Sequence, residues 1–442
     1  LASARAAEEA RLAAMGVDLA TKERAAFVKG AAPVPPLSEP GDDTELIFEV
    51  SAFRDGERCG RSLFYAFARA ARPARLSVRV LQARDDTDDD CLHRFRADHL
   101  DSLCAKDGFM ELVSGQPAGA GSGDPAQACR DVVLSKIHAW AIRPNQAKGP
   151  VHQRGMANLL LEFESTEAMC LSTDSHMGFW MDWDRVLIQE WLTTRNEFAV
   201  LSVYPTQLSL MNENPNTTRM HADFCGYEHE VSGMERGMPR GIAGAPKMRI
   251  PGAKPHLSMN WAAGFSFHRC HAEVAAPADL HLKWMFSGEE ANRAVRLWTH
   301  GYDLYVPTLD PVTHDYSHAS QGFWTYQGGS YEREQSQGRL SELMSLNNRP
   351  RPVEPIREPY TLGTQRSMED FVRWTRQDFG DTWGPWLAQQ GLEVARHPNC
   401  GSLERVAVQD DVALVAGIRA APEGPKDEIW AALGEEPPRP VH

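Results

Sequence analysis

Hydrophobic and polar positions along the chain follow two patterns, short apolar runs and segments with helical periodicity. Apolar runs at 46–53 and 76–81 predict buried strands. Between them, the segment 59–69 repeats apolar residues with a helical period, placing Leu63 and Phe67 on one side. A strand–helix–strand unit of this kind implies parallel pairing of the two strands with a right-handed crossover.

The same alternation continues through most of the chain. It predicts further strands at 132–137, 169–171, 198–204 and 302–306, and further helices at 150–163, 185–194, 288–299 and 368–377. Strands that alternate with helices are typical of α/β proteins. We therefore predict an α/β fold in which helices flank a mixed sheet.

Changes in composition divide the chain into segments. Residues 1–42 combine an N-terminal helix with a Pro-rich linker, because proline cannot continue a helix and favours extended spacers. We expect the catalytic domain at 43–346. Within it, 207–255 is rich in Gly, Pro, Met and Asn with little periodicity, and its length predicts a functional insertion. Residues 347–442 are expected to form a C-terminal extension, partly packed on the catalytic domain.

Candidate chemistry centres on the end of the predicted strand at 169–171, which leads into Asp174, Ser175 and His176. In an extended chain, side chains at i and i+2 project from the same face. A carboxylate and an imidazole on one face can hold a divalent cation, and the carboxyl ends of strands in α/β sheets are where ligands bind. The alternative reading is a polar strand end followed by a helix cap.

Composition argues against two classes of protein, nucleic-acid binders and membrane-spanning proteins, and leaves the cellular compartment open. The formal charge of −14 argues against general nucleic-acid binding, which depends on neutralising phosphates with Lys and Arg. No apolar run approaches the roughly 18 residues that a membrane helix needs. Eight cysteines contain no C-x-x-C pair. The chain begins at Leu1 rather than Met, so we leave open a cytoplasmic location or the Golgi lumen behind an excised anchor.

Several motifs, read in order, resemble the polypeptide-directed N-acetylglucosaminyltransferases. The matching stretches are 48–55 with Cys59, 76–82, 147–150 with Arg154, 174–184, 262–267, 286–290, 296–303, 314–316 and 360–371. Each motif alone is weak, but their common order over residues 44–375 is specific. Two stretches, 275–282 and 207–255, depart from the family's pattern. Both lie where the resemblance implies acceptor or sugar contacts, so 207–255 is expected to be a variable insertion on the acceptor side.

The resemblance implies a GT-A fold and a retaining transfer of GlcNAc from UDP-GlcNAc to a hydroxyl of a polypeptide, either hydroxyproline or Ser/Thr. It also implies a divalent metal, Mn²⁺ or Mg²⁺. Asp174 and His176 are the first two expected ligands, and the resemblance supplies His314 as the third. A solvated loop histidine is the alternative for His314. The expected partners are the UDP-sugar and the polypeptide acceptor, and a homodimer is left open.

Further residues are expected to bind the donor or act on it. Expected contacts with nucleoside or diphosphate are Arg54, Asp55, Arg154 and Ser175; Trp261 and Gly264 would form the floor under the sugar; Glu289 and Glu290 would hold sugar hydroxyls or orient the acceptor. The alternatives are a surface Arg–Asp turn at 54–55, a structural salt bridge for Arg154, core packing for Trp261, and helix-capping acids at 289–290.

Two other functions share some of these features. A metal-dependent hydrolase could use the same Asp, two His and Glu to activate water. A non-catalytic carbohydrate-binding protein could use its tryptophans as stacking platforms. The ordered motifs around the predicted strand at 169–171, which leads into Asp174 and His176, favour the transferase.

Overall fold

A computed structural model describes most of the chain. The described residues are 27–115, 124–163, 165–212, 220–248, 253–317, 322, 329–346, 351–379, 382–396, 398–420, 430–431 and 434–442. The predicted helix within 1–42 lies outside them. Among the described residues, no helix combines the length and apolar character needed to cross a bilayer.

A nine-stranded mixed sheet forms the centre of the fold. In spatial order its strands are β10 (His256–Ser258), β12 (Asp303–Val306), β6 (Ala199–Ser202), β11 (Phe265–Arg269), β4 (Met169–Asp174), β1 (Leu46–Phe53), β2 (Leu76–Ala83), β3 (Ile137–Ile142) and β14 (Arg439–Val441). Strands β4, β1, β2 and β3 pair in parallel, as do β6 and β12, while the other neighbours are antiparallel. The predicted parallel pairing of β1 and β2 is confirmed.

Helices flank the sheet on both faces. Successive residues of a strand point to opposite sides, so each face of the sheet presents side chains that helices cover. The helices are α1 (Gly56–Arg69), α2 (Cys91–Phe95), α3 (Asp101–Cys104), α4 (Phe109–Ser114), α5 (Pro125–Ser135), α6 (Pro144–Ala147), α7 (Pro150–Asn158), α8 (Trp183–Thr194), α9 (His271–Ala275), α10 (Glu289–Thr299), α11 (Ser330–Leu343), α12 (Met368–Thr375), α13 (Trp383–Gln389) and α14 (Asp411–Ala416). On β1, Phe48 packs against Trp183 of α8, while Glu49 accepts a hydrogen bond from Asn158 of α7. The expected α/β fold, a mixed sheet flanked by helices, is confirmed.

A small second sheet lies beside the carboxyl end of β4. Its strands are β5 (Met177–Phe179), β13 (Val312–His314) and β7 (Thr206–Gln207), with β13 in the middle. The antiparallel register of β13 on β5 pairs His314 with Met177. A residue distant in sequence is thereby placed next to His176.

The predicted strand at 132–137 is wrong. That stretch belongs mostly to α5, and the third parallel strand begins at Ile137 instead. The helix starts where the Asp124 side chain accepts a hydrogen bond from the backbone N–H of Ala126, with Pro125 at the first helical position. Both features stabilise a helix N-terminus and outweigh the β-branched character of Val132 and Val133.

The segment 207–255 contains a regular element that its composition did not predict. Strands β8 (Met220–His229) and β9 (Pro239–Met248) pair as an antiparallel hairpin. The register shifts twice, between Ala222 and Phe224 and between Phe224 and Tyr227. Such irregularities break the two-residue alternation by which a strand is recognised in sequence.

Segments outside the predicted catalytic domain pack against it. The Pro-rich linker is held by hydrogen bonds, including one from Arg269 of β11 to the carbonyl of Ser38. At the other end of the chain, β14 adds the last strand to the large sheet, and Trp430 is buried against Leu81 and Met156. The domain boundaries themselves stay predictions.

All eight cysteines are paired in disulfide bonds. The pairs are Cys59–Cys91, Cys104–Cys129, Cys170–Cys270 and Cys225–Cys400. Cys170 lies on β4 and Cys270 directly follows β11, so one bond joins two neighbouring strands of the large sheet.

Candidate active site

Three residues separated in sequence form a compact cluster at the carboxyl end of β4. One side-chain ligand atom from each of Asp174, His176 and His314 lies within 4.8 Å of the others. His314 Nε2 is 3.2 Å from Asp174 Oδ2, and the two imidazole rings are 4.6 Å apart between centroids. The side chains are 27%, 20% and 12% exposed, so the cluster is partly open to solvent.

A divalent cation fits this cluster. Atoms in neighbouring positions at about 2.1 Å from one octahedral ion are about 3 Å apart, which matches the Asp174–His314 contact. The donor set of one carboxylate and two imidazoles suits a first-row divalent ion. The Nδ1 atom of His176 lies 2.8 Å from Asp55 Oδ2, so a proton on Nδ1 leaves Nε2 as the ligand atom. The residues expected to bind the metal are thus brought together.

Arg154 is the main electrostatic neighbour of the cluster. One of its amino groups lies 2.5 Å from Asp174 Oδ1 and the other lies 2.7 Å from Glu289. Burial opposes ionisation of Asp174, but the charge of Arg154, with lesser help from the two histidines, outweighs it and holds the pKa of Asp174 well below its usual range. Asp174 is therefore ionised, the form that binds a metal ion.

Arg154 also joins two structural elements. It lies on α7, which begins at Pro150 after Gly149 in the left-handed region, φ 97°. Its guanidinium forms a fork whose second arm reaches Glu289, the first residue of α10. Burial raises the pKa of Glu289 even though Arg154 opposes that shift. The salt bridge considered as the alternative for Arg154 exists, and it is formed with a predicted metal ligand and a predicted catalytic residue.

Glu290 lies in a separate set of hydrogen bonds. Its carboxylate accepts one from the Tyr204 hydroxyl at 2.5 Å and one from the backbone N–H of Ala263 at 3.3 Å. Burial nevertheless raises the pKa of Glu290 to about 7. A carboxyl group with this pKa changes protonation near neutral pH, as acid–base groups in enzymes often do.

Asp55 and Arg54 occupy different environments although they are neighbours in sequence. Asp55 is buried behind the metal cluster, bonded to His176, Ser175 and Arg58. Arg54 forms a two-pronged salt bridge with Asp88, at 2.8 and 2.7 Å. The expected contacts of these two residues with the nucleoside stay predictions.

Gly264 and Trp261, the two residues expected beneath the sugar, differ in their position relative to the metal cluster. A Cβ atom on Gly264 would lie 3.2 Å from Asp174 Oδ2, so this glycine lies directly against the cluster. Trp261 is 2% exposed, its indole N–H donates to Ser266 Oγ, and Arg293 lies over its ring. Its ring is enclosed by protein on both faces, so core packing, the alternative considered for Trp261, describes its position.

Sequence reasoning did not single out three residues that contact the site. Tyr204 donates to Glu290, Arg58 bonds to Asp55, and the backbone N–H of Asp315 donates to the carbonyl of His176. Tyr204 could have been found, because it ends the predicted strand at 198–204, where ligands bind in α/β sheets. Asp315 lies within the motif 314–316, whereas no sequence signal marks Arg58.

Several solved structures are similar to this chain. They are GalNAc-T7 with UDP, GalNAc and Mn²⁺ (11% identity, 69% of this chain and 48% of that chain, TM-score 0.38), the mannosyltransferase PcManGT from Pyrobaculum calidifontis with GDP-Man and Mn²⁺ (9%, 73% and 67%, TM-score 0.34), and S. aureus TarS 1-349 with UDP-GlcNAc (10%, 67% and 66%, TM-score 0.35). The match thus spans about half the length of GalNAc-T7. No curated protein matches the chain.

A family profile gives the decisive comparison. The profile described as Glycosyltransferase (GlcNAc) matches residues 46–380, from the first residue of β1 to just beyond α12. This range contains every predicted site residue. Because the match extends over most of the 442 residues, the protein belongs to the glycosyltransferase (GlcNAc) family.

Proposed function

We propose that this glycosyltransferase is a metal-dependent, retaining enzyme that moves GlcNAc from UDP-GlcNAc to a polypeptide hydroxyl, on hydroxyproline or Ser/Thr. The observation that carries the proposal is the convergence of Asp174, His176 and His314 at the carboxyl end of β4. The ordered motifs of the polypeptide-directed enzymes, which run from 48–55 to 360–371, support the donor and the acceptor class.

The three clustered side chains would hold Mn²⁺ or Mg²⁺. When bound, such an ion supplies Lewis-acid stabilisation of the negative charge that develops on the departing diphosphate. Arg154 keeps Asp174 ionised and places a fixed positive charge next to a proposed metal ligand, where it would add to the stabilisation of a departing diphosphate. In the partly enclosed site this charge is worth more than it would be in water.

Glu289 and Glu290 begin α10 and bond to different partners. Glu289 is paired with Arg154, so it is oriented toward the metal cluster and suits the sugar hydroxyls. Glu290 is held by Tyr204 and suits the orientation of the acceptor. Its pKa of about 7 allows it to accept or donate a hydrogen bond near neutral pH.

The transfer proceeds on the face from which UDP leaves. The acceptor oxygen forms a bond to the anomeric carbon while the bond from that carbon to the β-phosphate oxygen breaks. The acceptor proton passes to a phosphate oxygen of the departing UDP. Neither glutamate needs to act as a nucleophile, so a covalent glycosyl adduct trapped on a side chain in Glu290→Gln would refute this route.

The test is a panel of UDP-sugars with Mn²⁺ or Mg²⁺, scored for UDP release with and without peptides that contain Pro, hydroxyproline or Thr. We expect UDP-GlcNAc to be the preferred donor and a hydroxyl-bearing peptide to stimulate release, with the peptide gaining one sugar by mass. Hydrolysis of the donor that no peptide stimulates would favour the hydrolase instead.

A further inference from the structure

Asp55 begins α1 but does not behave as a helix-capping residue. An aspartate in this position commonly accepts a hydrogen bond from a backbone N–H of the first helical turn. Here the side chain makes no such bond within α1. Its carboxylate is instead directed at the segment that carries the metal ligands, where Oδ2 lies 2.8 Å from His176 Nδ1 and 2.7 Å from Ser175 Oγ.

Arg58 secures the other side of this carboxylate. Its Nε donates to Asp55 Oδ1 at 2.7 Å, and its guanidinium lies 3.7 Å from the carboxylate of Asp315. Asp315 directly follows His314, and its backbone N–H donates to the carbonyl of His176 at 2.9 Å. Arg58 therefore connects Asp55, which bonds to His176, with Asp315, which follows His314.

We propose that Asp55 is a positioning residue for the metal site, orienting His176 through its Nδ1–H with Arg58 holding the carboxylate in place. A histidine ligand commonly donates its second ring N–H to a carboxylate, which fixes the tautomer and ring orientation and raises the basicity of the ligand nitrogen. Both Asp55 oxygens accept hydrogen bonds from protein groups, which supports this role, while the nucleoside contact expected from the sequence stays a prediction. The inference rests on the metal-binding part of the proposed function.

The test measures Mn²⁺ affinity without turnover, from the electron paramagnetic resonance signal of free Mn²⁺. Asp55→Asn is expected to weaken Mn²⁺ binding by roughly 10- to 100-fold, because loss of such a partner has this typical effect. Uridine affinity in the absence of metal should change less than about twofold. Asp42→Asn is the control, since this exposed carboxylate also pairs with an arginine, Arg72, but far from the cluster in sequence.

A second variant covers the case in which Asp55→Asn does not fold. Arg58→Gln leaves the carboxylate in place and removes its Nε hydrogen bond, so a smaller loss of Mn²⁺ affinity in the same direction is expected. Unchanged Mn²⁺ affinity in the folded variants, or a loss confined to uridine binding, would overturn the positioning role. A wild-type protein that binds no Mn²⁺ would instead contradict the metal dependence of the proposed function itself.

An independent observation concerns the compartment. Each of the eight cysteines lies opposite a partner, at Cα separations of 5.2, 5.8, 4.9 and 5.8 Å, within the range that disulfide geometry requires. The pairs join α1 to α2, α3 to α5, β4 to the start of α9, and β8 to residue 400. Four structural disulfides that use every cysteine are typical of proteins in oxidising compartments and rare in the cytosol.

We infer that the protein folds and acts in an oxidising compartment. Each disulfide forms from two thiols, and the two protons and two electrons released pass to the thiol–disulfide oxidoreductases of that compartment. Given the proposed function, the acceptors are polypeptides that pass through it. This removes the cytoplasmic alternative left open by the sequence.

The experiment counts thiols in protein isolated from its own cells under acid quenching. Denatured protein is alkylated before and after reduction and examined by mass spectrometry. We expect fewer than two alkylated cysteines before reduction, eight after it, and cross-linked peptides that match the four pairs. Two or more free thiols before reduction would overturn the inference. The count does not depend on transferase activity, so its outcome is separate from that of the proposed function.

Discussion

At the scale of single residues, the site contains two carboxyl groups, those of Asp174 and Glu290, whose ionisation is disfavoured by burial. Asp174, a partly enclosed carboxylate, is kept ionised by Arg154, whereas Glu290 has its pKa raised to about 7 by burial. Neighbouring carboxyl groups whose pKa values are driven in opposite directions commonly have different roles in one reaction. In the proposed function, the ionised Asp174 would bind the metal and Glu290 would orient the acceptor.

Replacing Asp174 by asparagine should abolish most of the activity. The change keeps the shape of the side chain but removes the negative ligand, so UDP release should fall by at least about 100-fold, or about 3 kcal/mol. Asp182→Asn is the matched control, because Asp182 lies at the N-terminus of α8 with φ 59°, a conformation that Asn tolerates well. Equal activity of both variants would contradict the role of Asp174.

The raised pKa of Glu290 predicts a specific pH dependence of stability. The folded-state value of about 7 exceeds the ordinary 4.5, so the folded protein binds this proton more tightly than the unfolded chain. The resulting stabilisation is fully present below pH 4.5 and is lost as the pH rises through 7, and it amounts to about 3 kcal/mol.

The measurement compares unfolding of wild type and Glu290→Gln between pH 4.5 and 8. Glutamine is neutral throughout, so the variant should lose less stability than the wild type as the pH rises. Parallel curves for the two proteins would show that Glu290 does not titrate near neutrality in the folded state.

At the scale of elements, hydrophobic pattern predicted strands β1, β2, β4, β6 and β12 and helices α1, α7, α8, α10 and α12, but it did not predict the 14-residue helix α11. Strand β1 was predicted with its full extent because both of its faces are buried, which produces a continuous apolar run. Helix α5 was missed because its apolar residues were given more weight than Asp124 and Pro125, the start signal before it. The β8–β9 hairpin was missed because its bulges interrupt the alternation.

Arg154 connects two elements, α7 and α10, and the connection depends on its forked shape. Lysine at this position replaces the planar guanidinium, whose two amino groups bond Asp174 and Glu289 separately, with a shorter side chain that ends in a single point charge. We expect activity to fall at least about tenfold and stability to fall by about 2 kcal/mol. Arg143→Lys is the control, since Arg143 pairs with Asp86 at the surface. An Arg154→Lys protein with wild-type activity and stability would contradict the bridging role.

The disulfide between β4 and the start of α9 should stabilise the molecule more than a shorter-range one. Cys170–Cys270 spans 100 residues and Cys104–Cys129 spans 25. By chain entropy, the cost of removing the pair with two alanines should be larger for the long loop by about 1 kcal/mol. Chemical unfolding of the two double variants checks this difference, and a larger loss for Cys104–Cys129 would contradict it.

At the scale of the whole molecule, the site is assembled from segments far apart in sequence. Spacing suggested Asp174 and His176 as a pair on one strand face, whereas the structure ends β4 at Asp174 and places His176 between β4 and β5. His314 could be assigned only by resemblance, since its position depends on the pairing of β13 with β5. Tertiary contacts of this kind, such as that of Arg58 with Asp55, leave no local pattern in the sequence.

The large sheet also depends on both ends of the chain. Its last strand, β14, comes from the C-terminal residues and pairs with β3. The Pro-rich linker is hydrogen-bonded to β11, which pairs with β4, the strand that ends at Asp174. The sequence prediction expected the C-terminal extension to pack partly on the catalytic domain, but it did not anticipate the strand that this extension adds to the sheet or the bond that holds the linker.

The most direct measurement is the dependence of sugar transfer on a divalent ion. The protein is stripped of metal with a chelator, and transfer from UDP-GlcNAc to a hydroxyl-bearing peptide is followed as Mn²⁺ is added back. We predict that transfer is absent without the ion, is restored as Mn²⁺ saturates the wild type, and is not restored in Asp174→Asn. Undiminished transfer by the metal-free protein would contradict the assignment of Asp174, His176 and His314 to a catalytic metal site.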